Sequence, residues 1–118
     1  MVTQDLPVLG AGATMRECIV LLAEKRGTVP IVDAQGRVSG VITAGDLTRL
    51  MEREPGFLDV PVREVMNPNP KTIEADALAA SAVFLMEKHG IMALPVTDPT
   101  GQLLGIVHLH DLLRANAV

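Results

Sequence analysis

Apolar positions along this chain follow two alternating rhythms, and the alternation occurs twice. Met15, Ile19, Leu22 and Ala23 are spaced i, i+4, i+7, i+8, the stripe of an amphipathic helix, and Leu78, Ala82, Leu85 and Met86 repeat that spacing. This predicts a helix from about residue 15 and another over 75–89. Thr14-Met15-Arg16-Glu17 marks the first start, since the threonine can cap an amide and the glutamate can reach back. Gly27 and Gly90 suit the two helix ends. Short apolar runs follow, Thr28 to Val32 and Ala93 to Thr97, then polar turns, Asp33-Ala34-Gln35-Gly36 and Asp98-Pro99-Thr100-Gly101, then second strands ending at Thr43 and His108. Each set reads as a hairpin. Leu47, Leu50 and Met51, or Leu112 and Leu113, then mark a closing helix.

The repetition extends to identities. Residues 30–50 laid on 95–115 share Pro30/Pro95, Asp33/Asp98, Gly36/Gly101, Gly40/Gly105, Asp46/Asp111, Leu47/Leu112 and Arg49/Arg114. Four further pairs exchange one aliphatic for another, which identifies an internal duplication. Upstream the register shifts by two residues, placing Met15 on Leu78. Between the copies, Pro55-Gly56 and Pro68-Asn69-Pro70 bound a short helical piece over 62–66. Lys71-Thr72-Ile73 reads as an extended lead-in, matched by Pro7-Val8-Leu9. The expected organisation is a first repeat over 1–54, a linker over 55–70 and a second repeat over 71–118. Neither repeat covers its apolar sheet face alone, so an α/β (α+β) fold is expected, two β-α-β-β-α repeats packed sheet to sheet about a pseudo-twofold axis. The seam between them would be a cleft.

Composition narrows the possibilities. At 118 residues the chain is one domain's worth, and its halves are expected to fold together. Apolar residues make up 48% of it, while Phe57 and Phe84 are the only aromatics, so the core must be aliphatic. No apolar run approaches the roughly 20 residues that span a bilayer. The N-terminus lacks the marks of an export signal, so no membrane association and a cytoplasmic location are expected. Cys18, the single cysteine, falls among helical apolar positions and reads as a packed thiol. A net charge of −4, with no basic block and no Tyr or Trp, argues against nucleic acid as partner.

The candidate chemistry lies where strand turns directly into helix: GVITAGDLTRL over 40–50 and GIVHLHDLLRA over 105–115. Free amides at a helix start suit a phosphate, Thr43 adds a hydroxyl, and Asp46 can accept from ribose hydroxyls. The competing reading is that Asp46 and Asp111 merely cap or charge their helices. In the second copy His108 replaces the threonine and His110 follows, and imidazoles can donate to an anion. His-x-His-Asp also resembles a metal cluster if both histidines lie on a strand, but only His89, at a helix end, could add a third imidazole, and no metal is expected. Arg49 and Arg114 read as exposed helical charges. Of the methionines, Met92 alone is expected to line a cleft. No nucleophile–base pair, paired carboxylates or Gly-rich phosphate cradle is present, so the chain is not expected to be an enzyme.

A duplicated helix-strand-strand-helix unit with Gly-h-h-Thr-x-x-Asp closing the first copy resembles the cystathionine beta-synthase (CBS) domain pair, or Bateman module, over nearly the whole chain. VMNPNPKTI, GDLTRL and GIVHLHDLLRA are similar to the C-terminal part of KdsD/KpsF/GutQ-type D-arabinose-5-phosphate isomerases, whose N-terminal sugar isomerase (SIS) catalytic domain has no counterpart here. The resemblance implies a regulatory module that binds a nucleotide or nucleotide sugar, with CMP-Kdo the preferred ligand and AMP or ATP the alternative. A purely structural oligomerisation module with no ligand is the rival, and a homodimer through the helices is implied. No cofactor is required. By the same resemblance, one cleft would join Thr43 and Asp46 to Lys71, Thr72, Met92 and Ala93. The other would join His108, His110 and Asp111 to Val8, Leu9, Gly27, Thr28 and Val29.

Overall fold

A computed structural model describes residues 9–10, 12–24 and 27–115. The described residues divide into two compact units, with the break between Pro70 and Lys71. In the first, β1 (Leu9–Gly10) runs parallel to β2 (Thr28–Val32), which pairs antiparallel with β3 (Val38–Thr43). Helix α1 (Met15–Glu24) joins β1 to β2, and α2 (Ala44–Arg53) follows β3 without a linker. The second unit repeats the plan with β4 (Ile73–Glu74), α3 (Ala79–His89), β5 (Ala93–Thr97), β6 (Leu103–His108) and α4 (Leu109–Ala115).

Both hairpins close through an aspartate. The Asp33 carboxylate accepts from the amides of Gln35 (2.9 Å) and Arg37 (3.0 Å). Asp98 accepts from the amides of Thr100 (2.9 Å) and Gln102 (3.0 Å) and from the Thr100 hydroxyl (2.7 Å). Those donors, the hydroxyl first, hold its pKa below the ordinary value. Gly36 and Gly101, with φ of +83° and +93°, supply the left-handed backbone such turns need. The ladders slip at matching places, between Ile31 and Val32 and between Val96 and Thr97. Pro30, which has no N–H to give, precedes the two residues that β1 pairs.

The cores are aliphatic, as composition required. Met15, Cys18, Leu22, Val29, Ile31, Ile42, Leu50 and Val62 form the first. Ile73, Ala82, Met86, Leu94, Val96, Val107, Leu109 and Leu112 form the second. Burial of Cys18, followed by the nearby charge of Asp46, pushes the thiol up to about 11, which keeps it protonated and unreactive at neutral pH.

Two sequence expectations are corrected. The helix expected over 75–89 starts only at Ala79, because Ile73–Glu74 is drawn into the sheet and Ala77 closes a turn onto the Glu74 carbonyl. The helical register of the repeat differs by one residue, not two. Cys18 matches Ala82, both with no exposure, and Leu22 at 6% matches Met86 at 0%, whereas Leu78, paired with Met15 in the expected register, is 73% exposed.

The stretch 55–70 packs onto the first unit. It contains 3₁₀ turns at Phe57–Asp59 and Val62–Glu64. The Met15 amide donates to the Val60 carbonyl and the Val62 amide to the Ala13 carbonyl, both at 2.9 Å, while Val41 and Asn67 exchange backbone bonds of 3.2 and 2.9 Å. This crossing explains Gly40. A Cβ there would stand 2.5 Å from Met66 Sδ and 2.9 Å from the Asn67 carbonyl oxygen. Gly40→Ala is therefore expected to lower stability by about 1–3 kcal/mol in urea denaturation. Gly45→Ala, whose Cβ meets nothing closer than 3.5 Å, should be neutral or slightly stabilising.

Candidate functional site

The first corner is built by β3 delivering Thr43 to the start of α2. Thr43 is extended (φ −114°, ψ 166°) and caps the helix, its hydroxyl oxygen accepting from the Asp46 amide at 3.3 Å. Asp46 returns the contact. Its Oδ2 accepts from the Thr43 amide (2.8 Å) and the Thr43 hydroxyl (3.1 Å), completing a capping box. Its Oδ1 accepts from Arg49 Nη2 at 2.5 Å. The Ala44 amide is taken by the Gly27 carbonyl at 3.0 Å, which pins the corner to the entry of β2.

The second corner has the same frame and different chemistry. The Leu109 amide donates to the Met92 carbonyl at 2.8 Å, the equivalent of the Ala44–Gly27 bond. His108 holds the ladder position of Thr43, opposite Ala93 as Thr43 is opposite Thr28. Its side chain is 12% exposed, and Nδ1 lies 3.9 Å from Asp111 Oδ2, an ion pair when the imidazole is protonated. Arg114 Nη2 donates to Asp111 Oδ1 at 3.0 Å. The Asp111 side chain is 48% exposed against 20% for Asp46, so its carboxylate is the more open of the two.

Within each unit the strand entry lies beside that unit's own corner. Gly27 and Thr28 accompany Thr43 and Asp46, and Met92 and Ala93 accompany His108 and Asp111. Thr28 and Ala93 are nearly buried and Met92 is 50% exposed. The Val29 side chain is fully buried in the first core and could offer a ligand only backbone groups, while Leu9 is partly buried against that core. Lys71 and Thr72 are exposed and immediately precede β4. Val8 lies outside the described residues.

The two histidines do not alternate along a strand, which removes the premise of a metal cluster. His108 ends β6, whereas His110 is an exposed residue in the first turn of α4. Among the described residues no His, Cys, Asp and Glu side chains gather in a metal-binding group. The structure adds Arg49 and Arg114 to the corners. Sequence reading treated them as free helical charges, yet each binds the carboxylate three residues before it. The signal available was their recurrence in both copies at a spacing that places side chains on one helix face.

Two copies of one β-α-β-β-α unit, each ending in a strand-to-helix corner with an acidic first turn, define a tandem-repeat module. The chain belongs to the CBS domain family, whose model matches residues 1–53 and 62–118. It is 33% identical over 118 residues to the arabinose 5-phosphate isomerase KdsD of Pseudomonas aeruginosa, covering 99% of this chain and 36% of that protein. It is 37% identical over 111 residues to the arabinose 5-phosphate isomerase GutQ of Salmonella typhi, covering 94% of this chain and 34% of that protein. The chain thus spans about a third of the length of the curated relatives it matches.

Among solved structures, CBSX2 in complex with AMP is similar with a TM-score of 0.86 and 25% identity, covering 99% of this chain and 91% of that one. The CBS domain pair of MJ0100, in complex with 5′-methylthioadenosine and S-adenosyl-L-methionine, gives a TM-score of 0.86 at 23% identity, covering 98% and 91%. That second likeness concerns the fold. No helix among the described residues is long and apolar enough to cross a membrane.

Proposed function

We propose that this chain is the ligand-sensing part of a D-arabinose-5-phosphate isomerase and that it binds a nucleotide or nucleotide sugar, CMP-Kdo being the preferred ligand. The observation that carries the reading is the duplicated brace, Gly27 carbonyl to Ala44 amide and Met92 carbonyl to Leu109 amide. In each copy it sets a strand entry, whose backbone can read a base edge, beside an aspartate able to accept ribose hydroxyls. The curated relatives KdsD, GutQ and KpsF, each named as an arabinose 5-phosphate isomerase, support the parent activity. CBSX2 in complex with AMP supports a nucleotide as the ligand class.

In this reading the ligand-binding groups are those of Thr43, Asp46, Gly27, Thr28 and Val29 in the first repeat and of Lys71, Thr72, Met92, Ala93, His108, His110 and Asp111 in the second. The imidazoles of the second corner suit an acidic sugar nucleotide, because an anion beside His108 favours its protonated form. Ligand binding shifts the arrangement of the repeats, and a SIS catalytic domain in the parent chain responds. Such coupling requires different affinity for the two arrangements, not merely tight binding. The 118 residues themselves are non-catalytic, act in the cytoplasm and pair as a homodimer.

AMP or ATP is the second reading, favoured by the AMP complex of CBSX2 and by the Thr–Asp pair of the first corner. Isothermal titration of the chain with CMP-Kdo, AMP and ATP distinguishes the two. Saturable binding of CMP-Kdo in preference to the adenosine nucleotides is expected. The reverse preference overturns the choice of ligand, and no heat from any of the three overturns sensing in favour of a structural oligomerisation module.

A further inference from the structure

The carboxylate offered to a ribose diol is already engaged on both of its oxygens. Oδ2 of Asp46 takes two hydrogen bonds, from the Thr43 amide at 2.8 Å and the Thr43 hydroxyl at 3.1 Å, and Oδ1 takes one from Arg49 Nη2. A carboxylate oxygen has about two lone-pair sites, so Oδ2 is saturated and Oδ1 has one place left. A vicinal diol brings two donors, one more than the carboxylate can still accept. An existing partner has to yield.

The three present donors differ in what holds them. The Thr43 amide and hydroxyl belong to the capping box that joins β3 to α2, and neither can leave without opening the corner. Arg49 is 69% exposed at the end of a flexible side chain, and an ion pair so open to water contributes little to stability. The partner that yields is therefore the guanidinium. It lies folded back over the exposed first turn of α2, where Gly45 has no side chain. Its Nη1 and Nη2 stand 3.5 and 4.0 Å from the point a Cβ on Gly45 would occupy, and Thr43 Oγ1 is 3.7 Å from the same point. A planar fork of N–H donors, matched to the paired oxygens of a phosphate or carboxylate, is thus held beside the proposed acceptor for the diol.

We propose that Arg49 is a specificity-determining residue of the first corner, exchanging Asp46 for an anionic group of the ligand as the diol takes its place on the carboxylate. This rests on the nucleotide-sensing function proposed above and adds the feature that the corner selects, a phosphate or other anion beside a vicinal diol. The exchange leaves no charge unpaired. An uncharged nucleoside displaces Arg49 and gives it nothing in return, whereas a nucleotide or nucleotide sugar replaces the lost ion pair with its own.

Amide NMR titration of the ¹⁵N-labelled 118-residue chain reads this corner through the Gly45 and Asp46 signals. CMP-Kdo and AMP are compared with cytidine and adenosine, in the parent, Arg49→Met, Arg49→Gln and Arg49→Lys. In the parent, the phosphorylated ligand is expected to bind about ten-fold or more tightly than its nucleoside. Arg49→Met should cut that preference to about three-fold or less, weakening the nucleotide while nucleoside affinity holds or rises. Where a nucleoside gives no shift in any of the proteins, recovery of nucleotide affinity in Arg49→Lys but not in Arg49→Gln supports the exchange, and equal affinity in those two variants overturns it. A loss shared equally by nucleotide and nucleoside would make Arg49 only a support for the corner, and an unchanged preference would place it outside the ligand's reach. Either result overturns the proposal and leaves the sensing function standing. Silence of both amides towards all four ligands in the parent overturns sensing at this corner, and the proposal with it.

Discussion

Val62→Asp is expected to unfold the first unit under conditions in which the unmodified chain is fully folded. The Val62 side chain has no exposure and sits among Met15, Cys18, Leu22 and Ile42, with no cation in that cluster to pair with a carboxylate. An uncompensated buried charge costs about 3–5 kcal/mol, a large share of the roughly 5–15 kcal/mol that holds a domain together. The loss should appear as a large fall in the urea midpoint by circular dichroism. Glu64→Ala, two positions away and exposed, should stay within about 0.5 kcal/mol of the parent. Equal behaviour of the two variants would mean that residues 55–70 are a passive connector and not part of the first core.

Asp46→Ala should have the second large effect, on two readouts at once. Removing the carboxylate ends the reciprocal cap with Thr43 and releases Arg49, so stability should fall by about 0.5–2 kcal/mol. It also removes the proposed acceptor for ribose hydroxyls. Hydrogen bonds to a charged group contribute about 1.5–3 kcal/mol, so nucleotide affinity measured by calorimetry should drop about ten-fold or more. Asp46→Asn retains an oxygen that can accept from the Thr43 amide, and should recover much of the stability but little of the affinity. Unchanged affinity in both variants would reduce Asp46 to a helix cap.

The strand framework was legible in the sequence because its constraints are local. Asp33 and Asp98 close turns with their own neighbours, and Pro30 and Pro95 recur at matched ladder positions. The helical register was not legible. Residues 78–86, LAASAVFLM, are apolar at nearly every position, so several faces satisfy a helical period and only packing against the sheet selects Ala82 and Met86. The role of residues 55–70 was hidden for a related reason. Prolines break the stretch into pieces too short for periodicity, and what fixes it is non-local, the bonds to Ala13, Met15 and Val41.

At the corners, sequence located Asp46 and Asp111 but could not say how occupied each carboxylate is. Oδ2 of Asp46 is taken by its own helix cap, and both aspartates are held by an arginine one turn on. A hydroxyl at residue 43 can make that cap. An imidazole at residue 108 stands 3.9 Å from Asp111 and leaves it more exposed, so one substitution between the copies yields two chemically distinct corners.

The measurement that reaches the central claim most directly is an amide NMR titration of the ¹⁵N-labelled chain with CMP-Kdo. The account predicts saturable shifts centred on Gly27, Thr28, Gly45 and Asp46 in the first unit and on Met92, Ala93, His110 and Asp111 in the second. Shifts confined to outer helical positions such as Val20 and Phe84, with both corners silent at saturating ligand, would contradict it.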